Sequence, residues 1–203
     1  MSALRNLFGS SKREIWQQLS TDIGARFVDG GFWKGDKVVA THGQWTVTLD
    51  SYAVSTGKTT VVYTRMRAPY VNPGGFRFTI YRKGIFSGIG KWLGMQDIEI
   101  GDTPFDEDFI IKGTDETLVR SLLSGPKIRD LVSRQRQIYL TVKDDEGWFG
   151  PTFPDGVDEL HFQVVGVIKD IERLKQLYEL FAEMLEELCR IGSAYETDPE
   201  VQV

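Results

Sequence analysis

The stretch WTVTLDSYAVSTGKTTVVYTRMRAPY, residues 45–70, decides the fold class. Its two halves are rich in β-branched and aromatic residues, which favour strands. The short polar sequence STGK between them contains a glycine and is typical of a hairpin turn. Since a hairpin joins antiparallel neighbours, this stretch predicts an antiparallel sheet.

Further strands are predicted on both sides of this hairpin. KVVATH precedes it, and FRFTIYRKG follows it after YVNPGG, whose turn-forming residues predict a second hairpin. Shorter strands are expected in QDIEI and FIIKG, and two more in QIYLTV and LHFQVVGVI. We therefore expect a sheet of about six to eight strands.

Helices are predicted at both ends of the chain and in its middle. An N-terminal helix should begin after Ser10 or Ser11 and end before Gly24. Two short middle helices are expected in DETLVRSLLSG and PKIRDLVSRQ, because acids or a proline stand at their starts. A long helix should run from about Asp170 to Ile191. Helices packed on one antiparallel sheet make an α+β fold.

The chain shows no repeat and no Pro- or Ser-rich linker, so residues 1–195 are predicted to form a single domain. The alternative is a boundary near Gly94, where basic residues give way to acidic ones. Residues 196–203 are predicted to be a flexible acidic tail.

Composition and charge exclude several function classes. The net charge of −5 is opposite in sign to that of a dedicated nucleic-acid-binding protein. The single cysteine, Cys189, permits no intrachain disulfide and suits a reducing compartment. Neither a signal peptide nor an apolar run of about 18 residues is found. We therefore expect a cytoplasmic protein without a transmembrane segment, for which peripheral membrane contact is not favoured.

Cofactor and metal motifs are incomplete. In RKGIFSGIGKWLG the glycines miss both the phosphate-loop and the dinucleotide spacing by one residue. His42 and His161, with one cysteine, cannot complete a zinc site. No cofactor, metal site or catalytic residue is predicted.

The acid cluster in DTPFDEDFIIKGTDETLVRSLL, residues 102–123, has two explanations. Asp115 and Glu116 suit a helix N-terminus, and Asp106 to Asp108 suit a turn, so a structural role is predicted. The alternative is a metal-dependent hydrolase that uses the acids between Asp97 and Asp108.

A basic and aromatic sheet face is the second candidate site. No acid occurs from Ser51 to Gln96, and alternation along the two strands places Tyr63, Arg65 and Arg67 on one face and Arg77 and Tyr81 on one face. If YVNPGG pairs these strands, Arg67 and Arg77 come close, and their like charges need neutralising. Acids on the next strand, Asp97 and Glu99, are one solution.

The other solution is an anion site for a phosphate, an acidic peptide or a lipid headgroup. Its predicted residues are Tyr63, Arg65, Arg67, Arg77 and Tyr81. Contact between each arginine and an acid would remove the reason for this site.

The C-terminal helix is apolar over a wider arc than a surface helix needs. The flank that carries Leu177, Leu180 and Met184 either is buried within the chain or meets another chain. Trp148 and Phe149, in the loop EGWFGPTF, are the other predicted interface residues. A protein partner or self-association is therefore expected.

Residues 100–185 resemble a bacterial family of unknown function with a Phe-x-x-x-Phe-x-Val motif, a short helix ending in Leu-Leu, two strands and a C-terminal helical segment. The matching positions are Phe105, Phe109, Ile111, Asp115, Leu122, Leu123 and Phe162. These are core and turn residues, so the resemblance implies a fold and no activity. The sequence thus favours a non-enzymatic binding or interaction module, possible as a homodimer through the C-terminal helix, over the anion-binding and hydrolase alternatives.

Overall fold

The computed structural model describes residues 11–31, 35–55, 57–84, 96–144 and 153–201. The helices are α1 (Lys12–Asp22), α2 (Thr103–Asp108), α3 (Glu116–Leu122), α4 (Pro126–Ser133) and α5 (Ile171–Arg190). The strands are β1 (Arg26–Val28), β2 (Lys37–His42), β3 (Trp45–Ser55), β4 (Thr60–Val71), β5 (Phe78–Arg82), β6 (Gln96–Asp97), β7 (Phe109–Gly113), β8 (Tyr139–Lys143) and β9 (Val157–Val165).

All of these strands belong to one sheet in the order β1-β2-β3-β4-β9-β8-β5-β7-β6. Every pair is antiparallel. The predicted α+β class with an antiparallel sheet, an N-terminal helix and a long C-terminal helix is confirmed. Strand β5, from before Gly94, lies between β8 and β7, from after it, so the described residues before and after Gly94 share one sheet.

The hairpin predicted from residues 45–70 is confirmed, and the one predicted at YVNPGG is wrong. Ser55 pairs with Thr60 at the end of the β3–β4 hairpin. The other edge of β4 pairs with β9, and β8 and β9 separate it from β5. A turn sequence reverses the chain but does not decide which strand occupies the neighbouring edge. Consecutive residues of β9 are buried from 157 to 162, so both faces of this strand are covered, which suits the centre of the sheet.

The helix ends follow the predicted capping chemistry. Ser11 and Glu14 form a reciprocal capping box at the start of α1, and Gly24 follows its end with φ +66°. Asp115 and Asp170 accept backbone N–H bonds at the starts of α3 and α5. Helix α2 was not predicted. It forms because Asp102 caps the N–H of Phe105 and a proline occupies the first turn.

The hydrophobic core lies between the helices and one face of the sheet. Direct neighbours on this face include Leu49, Met66 and Phe162, all fully buried. Helix α5 packs here, and the hydroxyl of Tyr178 donates to the carbonyl oxygen of Val38 at 3.1 Å. We call this the core face.

The interface predicted for Leu177, Leu180 and Met184 is wrong, because all three are fully buried within the chain's own core. A sheet of this width receives a broader helix face than a narrow bundle seam does. The other predicted alternative, burial within the chain, is the one observed.

The chain beyond α5 lies against the body of the protein, and the flexibility of residues 196–203 stays a prediction. Ala194 is buried, and the N–H of Tyr195 donates to the carbonyl oxygen of Val71 at 3.2 Å. Pro199 is also buried. Within the described ranges, no helix has both the length and the apolar character needed to span a membrane.

Candidate functional site on the polar face of the sheet

The face of the sheet opposite the core face carries a buried row of polar side chains. Thr48 pairs with Arg67, Arg67 with His161, His161 with Thr141 and Thr141 with Thr79, on five successive strands. All five are at most 2% exposed. Buried polar groups need hydrogen-bond partners, so such a row destabilises the fold unless its polar atoms are hydrogen-bonded. We call this side the polar face.

One carboxylate organises the basic end of this face. Asp50 Oδ1 accepts from Nε of Arg65 at 2.8 Å, and Asp50 Oδ2 accepts from Nη2 of Arg67 at 2.6 Å. Burial alone would raise the pKa of Asp50, but the hydrogen bond from Arg65 and the charges of Arg67, Arg65 and Lys37 outweigh it and hold that pKa below its usual value. Asp50 therefore remains charged between the two arginines.

A second cluster lies beside it on β9. Glu159 Oε1 is 2.7 Å from Nδ1 of His161, and Nε2 of the same ring is 3.2 Å from Oε1 of Gln163. The hydroxyl of Tyr52 donates to Gln163 at 3.0 Å. Burial, followed by the charge of Lys143, lowers the pKa of His161 well below its usual value. Burial and the nearby cations therefore both oppose a positive charge on this ring.

The polar face opens into a cavity of about 370 Å³. Its lining residues are Gly24, Arg26, Val39, Thr41, Thr46, Thr48 and Val201. Thr48 belongs to both the cavity and the polar row. In the described part of the chain, Arg26 makes no ion pair, and the hydroxyls of the three threonines make no hydrogen bond. The cavity lining therefore includes an arginine and three threonines, of which Thr48 is almost completely buried at its inner wall.

The structure separates the residues of the predicted anion site. Arg65 and Arg67 share Asp50, as described above. Arg77 Nη2 lies 2.9 Å from Asp144 and 3.8 Å from Asp158, near the other end of the central strands. Each arginine contacts an acid, so the reason given for this site is gone.

The two tyrosines of that prediction have aromatic neighbours instead. Tyr63 stacks on Tyr52 with the ring centroids 5.2 Å apart, and Arg65 lies over the ring of Tyr52 at 4.9 Å. Tyr81 lies on β5 beside Tyr139, with centroids 6.5 Å apart. These contacts do not bring Tyr63 and Tyr81 together. The other two predicted interface residues, Trp148 and Phe149, lie outside the described residues.

The acid cluster is used structurally, although Asp106 to Asp108 lie in helix α2 and not in the predicted turn. Asp102 caps α2 and binds Arg129 at 2.9 Å. Asp106 accepts the N–H groups of Ile100 and Gly101. The remaining contacts pair Asp97 with Lys112 and Asp108 with Arg82. Across the described ranges, no three His, Cys, Asp or Glu side chains converge as metal ligands would.

Sequence reasoning missed Asp50 and the β9 cluster, although both leave a signal. Asp50 immediately precedes the acid-free stretch and lies on the strand that the first hairpin places beside Arg65 and Arg67. In ELHFQVV, the residues Glu159, His161 and Gln163 alternate with apolar ones. In a strand this pattern places three polar groups on one face.

Comparison with family models, with curated proteins and with solved structures found no match to this chain. The resemblance of residues 100–185 therefore stays a prediction, and the geometry of the polar face is what bears on function.

Proposed function

We propose that this chain is a small-ligand-binding module whose site is the polar face of the sheet, with an anionic group of the ligand held at Arg26. The observation that carries the proposal is that Arg26 and three threonines line one cavity. A guanidinium group with nearby hydroxyl donors suits a carboxylate or a phosphate.

The size and the walls of the cavity support the same proposal. Its volume of about 370 Å³ lies within the range of small-molecule sites, roughly 300–1,000 Å³. Val39 and Val201 supply apolar surface beside the polar groups. Thr41, Thr46 and Thr48 stand on paired strands, so their positions are fixed before a ligand arrives. Because these donors are already ordered, less of the binding free energy is lost in ordering them when the ligand binds.

The buried network next to the cavity serves as its support. Arg67 pairs directly with Thr48 across the sheet, and Asp50 fixes Arg67. The wall of the cavity at Thr48 is therefore backed by side chains that are already ordered and charged. This proposal keeps the predicted anion-binding function and replaces Arg65, Arg67 and Arg77 by Arg26 as its cationic group.

Thermal unfolding of the full chain with inorganic phosphate, acetate, succinate and citrate tests the proposal. A ligand at about 100 times its dissociation constant adds about 2.7 kcal/mol to the free energy of unfolding. At this chain length the melting temperature should rise by roughly 5 °C or more. We expect at least one of these anions to raise it, and no response to any of them would contradict the proposal.

Two variants locate the site. Arg26→Gln should abolish the shift, and Thr46→Val should reduce it, because valine keeps the shape of threonine and removes only the hydroxyl. Arg134→Gln is the matched control, since Arg134 is an exposed arginine that pairs with Asp130 on α4, away from the cavity. A shift that survives Arg26→Gln, or that Arg134→Gln removes equally, would place the binding elsewhere.

A further inference from the structure

The chain beyond α5 passes from the end of β4 to the proposed ligand site. The N–H of Tyr195 donates to the carbonyl oxygen of Val71, and the two residues form an antiparallel bridge at the end of β4. Glu196 lies against the turn between β2 and β3, because a β-carbon built on the first glycine of that turn would collide with its carboxylate. Val201 then forms part of the cavity wall. We call residues 195–201 the C-terminal strap.

We infer that the C-terminal strap is a movable wall of the ligand site, which moves away to admit an anion and then closes on it. The inference rests on the proposed function, because it assigns the strap to the same cavity. Arg26, Val39 and the three threonines of the lining stand on paired strands. Val201 belongs to no strand, so this part of the wall can move without disturbing the sheet.

Few contacts hold the strap to the rest of the protein. Among the described residues, the bond from Tyr195 to Val71 is the only hydrogen bond that joins the two. Two further bonds lie within the strap, from the N–H of Thr197 to the carbonyl oxygen of Tyr195 and from the N–H of Glu200 to the side chain of Asp198. The three carboxylates of the strap make no ion pair with a described residue. Segments with so few contacts open locally at a low cost in free energy.

Pro199 anchors the end of the strap that lies at the cavity. It is buried, whereas the residues from Tyr195 to Asp198 are exposed, and Val201 follows it by two positions. The burial of Pro199 therefore seats Val201 in the cavity wall. Glycine at position 199 would remove this packing and would also increase the conformational freedom of the open strap.

A ligand and the closed strap should stabilise each other. A ligand that touches Val201 binds the closed strap better than the open one, so it must increase the closed fraction. Conversely, the apparent affinity of the ligand falls in proportion to the fraction of molecules whose strap is closed. Loosening the strap should therefore weaken binding even though Arg26 and the threonines are unchanged.

Hydrogen exchange of the full chain, followed by mass spectrometry, tests the strap with inorganic phosphate, acetate, succinate and citrate. Without an anion, the amides of the strap should exchange faster than those of α5, because the strap opens locally. An anion that raises the melting temperature should slow exchange in the strap at least about fivefold, because it favours the closed state. Helix α4 lies away from the cavity, and its exchange should not change.

A pair of proline variants tests the anchor. Pro199→Gly should speed exchange in the strap and weaken binding of the same anion at least about fivefold, because fewer molecules have a closed strap. Pro154→Gly is the matched control, since Pro154 is an exposed proline in the turn before β9, and it should change neither quantity. Thermal unfolding without an anion shows that each variant is folded.

The failure of the strap differs from the failure of the ligand site. An anion that raises the melting temperature and leaves exchange in the strap unchanged would overturn the strap and keep the site. Wild-type affinity in Pro199→Gly, or a free strap that exchanges as slowly as α5, would have the same meaning. If none of the four anions raises the melting temperature, the ligand site and the strap are both overturned.

Discussion

Glu159 and His161 lie two positions apart on β9, and their side chains meet on the polar face with Oε1 and Nδ1 2.7 Å apart. Both side chains are almost completely buried, at 0% and 2% exposure. Burial of the ring, together with the charges of Lys143, Arg65 and Arg67, lowers the pKa of His161. The centre of the sheet therefore contains a titratable group that resists protonation.

This relationship predicts a dependence of stability on pH. The unfolded chain binds a proton at His161 below pH 6.5, its ordinary pKa, whereas in the folded chain the pKa of this ring is well below that value. Because the unfolded state then holds more protons, the free energy of unfolding should fall as the pH drops from about 6.5 to 5. This histidine contributes a slope of at most about 1.4 kcal/mol per pH unit. Urea denaturation at a series of pH values measures it.

His161→Gln should flatten that part of the curve, because glutamine does not titrate. His42→Gln is the control, since His42 is a more exposed histidine that pairs with Glu186 on the surface. Equal slopes in the wild type and in His161→Gln would show that His161 is not the titrating group.

Asp50→Asn should strongly destabilise the fold. The change removes the charge that Arg65 and Arg67 share, and Arg67 is only 2% exposed. Removing one partner of a buried ion pair lowers the free energy of unfolding by about 3–5 kcal/mol. Asp97→Asn, in the exposed pair with Lys112, should cost less than about 1 kcal/mol. Urea denaturation of both variants gives the two values, and equal losses would contradict the role assigned to Asp50.

Leu180→Ala distinguishes burial from an interface on α5. The side chain is fully buried, so truncation should cost about 2–5 kcal/mol. It should leave the dissociation constant of any dimer unchanged. Glu179→Ala, on the exposed side of the same helix, should cost less than about 1 kcal/mol. A weakened dimer without lost stability would restore the sequence-based interface.

Glycine is required at position 113 because helix α3 approaches strand β7 closely there. A β-carbon built there would lie 2.4 Å from Cγ2 of Val119, a fully buried residue on α3. Gly113→Ala should therefore destabilise the protein by about 1–3 kcal/mol. Gly74→Ala is the control, because nothing lies within 4 Å of its β-carbon position. Thermal unfolding of both variants compares them, and equal melting temperatures would contradict the close packing of α3 on β7.

Local sequence patterns predicted most of the helices and strands. They did not predict which strands, distant in sequence, pair with each other. Ser11, Asp115 and Asp170 mark helix starts by chemistry that acts within a few residues. The position of β9 beside β4 depends on contacts between segments about a hundred residues apart, which no local pattern encodes. The wrong YVNPGG hairpin followed from this, and so did the expected approach of Arg67 to Arg77.

The candidate site was predicted only in kind. Basic residues on alternate strand positions correctly indicated a polar face. The acid that neutralises Arg65 and Arg67 is Asp50 on β3, whereas the sequence analysis considered only Asp97 and Glu99. Arg26 and the threonines of the cavity gave no signal, because a single arginine and scattered threonines are typical of any strand surface. They become a site only when β1, β2 and β3 pair in register.

The sheet order also determines how the chain can fold. β9 is the last strand along the chain, yet it lies beside β4 in the middle of the sheet, and Thr64 bonds the carbonyl of Gly166 across 102 residues. During synthesis, β4 and β5 each have an edge without its final partner strand until β8 and β9 have emerged. Contacts between residues so far apart in sequence slow folding. Strand edges that are unpaired in the meantime are prone to aggregation. The protein should therefore refold slowly, and fragments that stop before Val157 should precipitate rather than form a partial sheet.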